Sequence, residues 1–213
     1  MAKLKKGIFG PISGKLGPVI GSSWKGIPYL REVSKQKEIK PPRTAAQLAN
    51  EQKFKFVQQW LVPFYPYLMV GFRKLAKGKT EINAAFSANF QQVFSGVYPN
   101  IVIDHSKLVI SKGDLPQLNQ LEMEFIAPDT IKLNWQENTD YRASFDDQLM
   151  LVLYSPELKI TDGLIGGVKR SSLHYNFRFD PVLIGKALEV YLSVSSSDRR
   201  KVADSIYMGR VVP

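Results

Sequence analysis

The chain has 213 residues, with 29 Lys+Arg against 19 Asp+Glu, two His and no Cys. At 44% apolar and 11% aromatic it can bury a core, which excludes global disorder. The missing Cys excludes a disulfide scaffold, a thiol nucleophile and thiolate metal sites.

The net charge of +10 is unevenly spread. Residues 1–80 carry 16 Lys/Arg and 3 acids, or +13, while residues 81–213 carry 13 and 16, or −3. A basic end on a mildly acidic body points to an anionic partner, to the acidic part of another copy, or to a solvated tail. No apolar run reaches the roughly 18 residues of a spanning helix. The basic start, Met1–Gly10, leads into Gly and Pro rather than an apolar stretch, so no signal peptide is expected. Synthesis in the cytoplasm, with release in a particle or filament, is the matching expectation.

Residues 1–42 read as an extended, basic, Gly-rich arm. Gly10-Pro-Ile-Ser-Gly14 and Gly17-Pro-Val-Ile-Gly21 form an imperfect seven-residue repeat that cannot be helical, since Pro lacks the donor and Gly costs entropy. Trp24, Tyr29 and Leu30 read as parts of short strands around a turn, and Ser34–Arg43 as a linker ending in Pro41-Pro42. Ile8, Phe9, Ile12, Leu16, Val19, Ile20 and Trp24 are too apolar for an idle tail and are the candidate assembly residues. Candidate anion contacts are Lys3, Lys5, Lys6, Lys15, Lys25, Arg31, Lys35, Lys37, Lys40, Arg43, Lys77 and Lys79.

Residues 43–98 read as a small helical bundle. Thr44 and Gln47 fit a capping box, and Val57, Trp60, Leu61, Phe64 and Leu68 fall on one helical stripe. Pro63 and Pro66 break it, giving helices over about 44–62 and 64–76. Thr80 caps a third helix over about 81–95, ended by Gly96 and Pro99.

Residues 99–213 change period from 3.6 to 2. Strands are predicted around 101–111, 121–125, 131–135, 149–154, 173–179, 188–194 and 202–212. That spacing suits an antiparallel immunoglobulin- or fibronectin-like β-sandwich, without the inter-sheet cysteines of antibody domains. The fold class is therefore α+β, mainly β.

Chemistry is sparse. G-x-S-x-G, H-E-x-x-H and G-x-G-x-x-G are absent. Gly78-Lys-Thr80 mimics the end of a phosphate loop, but Arg73 stands where its first glycine belongs. His105 and His174 sit on separate predicted strands, so a catalytic or metal pair is not expected. Glu137, Asp140, Asp146 and Asp147 could serve as a carboxylate pair or Ca²⁺ ligands, but no D-x-D-x-D-G loop is present and a polar turn is the favoured reading. Cations alternate with aromatics in Trp24-Lys25, Lys53-Phe-Lys-Phe56 and Phe72-Arg-Lys74, as stacking on a nucleic acid would need, without a known binding motif.

Several blocks recur in order: Gly14-Lys-Leu-Gly17, Gly21-Ser-Ser-Trp-Lys-Gly26, Pro42-Arg-Thr-Ala-Ala-Gln47 with Lys53-Phe54, Asn83-Ala-Ala-Phe86, Gly96-Val-Tyr-Pro99, Ser111-Lys-Gly-Asp-Leu115, the Trp135 strand, Asp146-Asp-Gln148 and Asp204-Ser-Ile-Tyr-Met-Gly209. In these the chain resembles an uncharacterised protein family of Bacteroidota. The resemblance implies a bacterial or bacterial-virus source and a non-enzymatic role. The expected function is a self-assembling structural subunit of a filament, shell or virus-like particle, joined by N-terminal arm exchange with other copies. The alternative is a nucleic-acid-binding protein using residues 1–80. No enzyme activity, cofactor or membrane span is expected.

Overall fold

The computed structural model describes residues 3–4, 7, 10–34 and 42–213. The chain forms two compact units, Met1–Thr44 and Ala45–Pro213. Segments 43–98 and 99–213, separated by sequence pattern, thus share the second unit apart from its first two residues.

The first unit is not a single extended arm. Its described residues hold β1 (Lys3–Leu4), β2 (Ile12–Leu16), β3 (Val19–Trp24) and β4 (Ile27–Glu32), paired in the order β1-β2-β3-β4. Two-residue turns make this possible. Gly17-Pro18 joins β2 to β3 with Gly17 at φ +56°, and Lys25-Gly26 joins β3 to β4 with both residues at positive φ. Hairpin turns of this length require such angles to match the strand twist.

The second unit begins with α1 (Ala45–Trp60) and α2 (Tyr65–Gly71), separated by a 3-10 turn at Val62–Phe64 that contains Pro63. After a further 3-10 turn at Arg73–Leu75 comes α3 (Glu81–Asn89), capped by Thr80, whose hydroxyl accepts the Asn83 N–H at 3.1 Å. The third helix stops six residues before its predicted end. The buried Asn89 amide donates to the Ala85 and Val109 carbonyls, and its Oδ1 accepts the Val109 N–H at 2.9 Å. That bridge to a distant segment fixes the end of the helix. Phe94 then starts a hairpin, β5 (Phe94–Val97) and β6 (Asn100–Ile103), where a helix was predicted to 95.

Seven strands follow: β7 (Asn119–Ala127), β8 (Thr130–Gln136), β9 (Gln148–Ser155), β10 (Ile160–Lys169), β11 (His174–Arg178), β12 (Leu188–Ser195) and β13 (Ile206–Val211). They form an antiparallel sandwich of two sheets, β10-β9-β12-β13 and β11-β8-β7, an immunoglobulin-like arrangement. The predicted number of strands holds but its membership changes. The 101–111 segment supplies β6, a 3-10 turn at His105–Lys107 and irregular chain; the missing sandwich strand is β10. Gly163, Gly166 and Gly167 lie at positive φ in β10, and its register shifts between Ile165 and Lys169, which hides the period of two.

The four-stranded sheet is covered on both sides. Leu149, Leu151 and Leu153 of β9, with Leu188, Val190, Leu192 and Val194 of β12, pack into one core with Ile131, Leu133, Trp135 and Phe177 of the other sheet. Met150, Val152 and Tyr154, with Tyr191 of β12, point the other way and pack with Val57, Leu61, Phe64 and Leu68 of the helical segment. No helix among the described residues is long and apolar enough to cross a membrane.

The contact between α2 and the chain after β6 is close enough to require glycine. A Cβ on Gly71 would overlap the Ile110 carbonyl and Ser111. Gly71→Ala is expected to destabilise the fold by about 1–3 kcal/mol, read as a lower urea midpoint with an unchanged m-value.

Candidate functional site: the N-terminal sheet and the sandwich loops

Strand register sorts the first unit's side chains into two faces, because directly paired residues point the same way. Lys15, Ile20 and Arg31 form one row across β2, β3 and β4; Ser22–Tyr29 and Trp24–Ile27 continue that face. Leu16–Val19, Gly14–Gly21–Leu30 and Ser23–Pro28 form the other. The last glycines of the two repeat copies, Gly14 and Gly21, are thus register partners. The strand bends at Gly14, at φ +107°, and carries Ile12 over Gly21, where a Cβ would overlap the Ile12 carbonyl. A pocket of about 420 Å³ lies beside this crossing, lined by Pro11, Ile12, Pro28 and Leu30 among others.

Neither face is closed. Trp24 is 49% exposed, Ile27 65% and Leu30 62%, and Leu16 and Tyr29 are exposed as well. Of the predicted assembly residues, Leu16 and Val19 fall on one face and Ile20 and Trp24 on the other, while Ile12 lies beyond the bend at Gly14 with its carbonyl over Gly21. Ile8 and Phe9 lie outside the described residues. Ile27 and Leu30 were missed as assembly residues; they lie on opposite faces of β4, an edge strand in which Pro28 is the visible signal.

The predicted anion contacts do not gather into one patch. Lys15 and Arg31 lie on the Trp24–Tyr29 face, and Lys3 pairs with Ser13 in the β1–β2 ladder, beyond the bend at Gly14. Lys25 sits in the β3–β4 turn, Arg43 just before α1, and Lys77 and Lys79 between the 3-10 turn and α3. Lys5, Lys6, Lys35, Lys37 and Lys40 lie outside the described residues. The helical cation–aromatic pairs serve the fold. Lys53 donates to the Phe94 carbonyl at 2.9 Å and lies over the Phe90 ring, Phe54 packs on Phe86 with ring centroids 4.5 Å apart, and Phe72 is buried.

The acidic segment between β8 and β9 is engaged internally. Asp140 accepts from Arg142, whose guanidinium and backbone N–H hold its carboxyl down at about 2. Asp146 accepts from the Ser144 hydroxyl at 2.6 Å. Asp147 is buried and pairs with the buried Arg170, 3.2 Å apart, in the turn between β10 and β11. Arg170 also donates to the Pro116 and Gln117 carbonyls, and its own carbonyl accepts the Trp135 indole N–H at 2.6 Å. Burial pulls the guanidinium pKa down while Asp147 opposes that shift. This hub ties two sandwich loops together and leaves Tyr141 and Phe145 exposed on the first of them. Among the described residues no group of three or more His, Asp or Glu is placed to hold a metal. His105 packs with Trp60 and Tyr154, whereas His174 is exposed on β11, so the histidines belong to different surroundings.

A model of a family of unknown function, DUF6266, matches residues 11–209, a range that spans parts of both units. No curated protein matches the chain. Among solved structures the chain is similar to the fibronectin type III domain of human contactin 1, with 9% identity and a TM-score of 0.33 over 55% of this chain and 92% of that one.

Arg170→Met leaves Asp147 buried without its partner and is expected to cost about 3–5 kcal/mol in urea unfolding. The Arg170→Met/Asp147→Leu double variant is expected to recover a large part of that loss. A single variant as stable as the wild type would show that the Arg170–Asp147 pair does not hold these loops together.

Proposed function

Because the chain belongs to DUF6266, a family of unknown function, we propose from its own surfaces that it is a non-catalytic, self-associating structural subunit, joined to other copies through its N-terminal sheet. The observation that carries this reading is the exposure of Leu16, Trp24, Ile27, Tyr29 and Leu30 on one small sheet. Covering a large apolar side chain is worth roughly 1.5–3 kcal/mol, and a sheet of this size has no interior of its own to provide that cover. The +13 charge of residues 1–80 beside the −3 of residues 81–213 favours head-to-tail contacts between copies. Exchange of a lone strand is the less suitable route. Residues 12–32 already pair among themselves, and Pro28 removes a donor from the outer strand β4. The faces of the sheet therefore carry the association.

In size-exclusion chromatography with light scattering, the full chain is expected to exceed its monomer mass of 24.1 kDa as concentration rises. Ile27→Glu/Leu30→Glu, which changes both faces, should return it to monomer with unchanged circular dichroism. A double variant that assembles like the wild type would overturn the reading.

A second reading rests on the face that combines Lys15 and Arg31 with Trp24 and Tyr29. Cations beside exposed aromatics are the pairing that binds single-stranded nucleic acid through phosphates and stacked bases. It predicts salt-dependent binding to a single-stranded oligonucleotide. Lys15→Glu/Arg31→Glu should then lower the slope of log K against log salt by about 1.4, roughly 0.7 per lost phosphate contact. Absence of binding at low salt would dismiss it.

A further inference from the structure

Between α1, the β5–β6 hairpin and the end of β9 lies a cleft of about 530 Å³, within the range of small-molecule sites. It lies wholly in the second unit, and its argument is independent of the association reading. Its walls are aromatic and held in place by packing. The Trp60 ring stacks on Phe64, with centroids 5.1 Å apart, and meets Phe94 edge-on at 5.0 Å. Tyr154 and His105 complete a triangle with it, at centroid distances of 5.4 and 5.8 Å from Trp60. Fixed rings of this kind offer a slot to a flat apolar body at little entropic cost.

Charge selects the ligand further. Among the described residues no carboxylate lines the cleft, and the one formally charged side chain in its lining is Lys159. Burial holds the His105 imidazole below its ordinary pKa and pushes the Tyr154 hydroxyl up to about 12, so both are neutral near pH 7. Lys159 is exposed, and the turn that carries it is fixed by its backbone N–H donating to the Ser155 carbonyl at 2.8 Å. A cationic ligand, which an aromatic cage without lysine would accept, is repelled here; an anionic group is attracted. His105 Nδ1 is also buried without a hydrogen-bond partner, an unusual condition for a polar atom in a folded protein.

We propose that this cleft binds a small planar aromatic acid, its ring against Trp60 and Phe56 and its carboxylate on Lys159.

The three tryptophans make the test direct, since Trp24 and Trp135 serve as internal controls. Full-length ¹⁵N-labelled protein is titrated with indole-3-acetate and, separately, with its neutral analogue tryptophol, each to about 10 mM. The expected result is a saturable shift of the Trp60 indole N–H with indole-3-acetate, a weaker one with tryptophol, and none at Trp135. Lys159→Ala should weaken indole-3-acetate by about two- to fivefold, the span of an exposed ion pair, and leave tryptophol unchanged. Gln59→Glu, at an exposed rim position, should act in the same direction. No saturable shift, a response at Trp24 or Trp135 instead, or equal effects of Lys159→Ala on the acid and the alcohol would each overturn the proposal. So would a Trp60 shift that follows protein concentration rather than ligand, which would place a second copy in the cleft.

Discussion

Two strands, β9 and β12, lie in the middle of the second unit with both faces buried, and the layers on either side follow from that burial. Every residue of β12 and nearly every residue of β9 is inaccessible to solvent. A strand sends alternate side chains to opposite faces, so each needs two separate apolar surfaces. The β11-β8-β7 sheet provides one. The helical segment provides the other, against Met150, Val152, Tyr154 and Tyr191. A free-standing sandwich would leave those four side chains in water, which is why helices and sandwich form one unit.

Such burial leaves polar groups that must be satisfied from within. Glu189 lies on the helical side of β12, where it accepts the Tyr207 hydroxyl at 2.6 Å. Ser111 and Ser193 meet at 2.6 Å, close to the Ala203 carbonyl. At the end of the sandwich, Arg170 and Asp147 take this furthest, because a buried ion is tolerated only when paired and hydrogen-bonded. Their network gathers the chain before β7, the end of β8 and two loops. The acidic segment of the sequence is therefore a structural joint, and it carries two exposed aromatic side chains, Tyr141 and Phe145.

The first unit follows the opposite rule. Its strands are set by turns: Gly17 and Gly26 adopt angles that other residues reach at a cost, and Gly14 with Gly21 lets β2 cross β3. Backbone pairing completes the sheet, yet large apolar side chains remain on both faces.

Periodicity and turn chemistry by themselves determined much of this protein. The first two helices, except that the second ends at Gly71 and not at about 76, the Thr80 cap, the turn after Ala127, the strands containing Trp135, Tyr154 and Val190, and the mainly β class all follow from local spacing. So does the Trp24–Ile27 hairpin turn. The tertiary structure decided what depends on contacts between distant residues. Asn89 ends its helix early through Val109, and β10 is a strand despite three glycines because β9 pairs with it. Asp147 meets Arg170 across 23 positions, and Trp60, His105 and Tyr154 converge on one cleft from three elements. Apart from the β9–β10 hairpin, whose glycines hide its second strand, none of these partners lies within a helical turn or a hairpin of the other, so no local pattern records them.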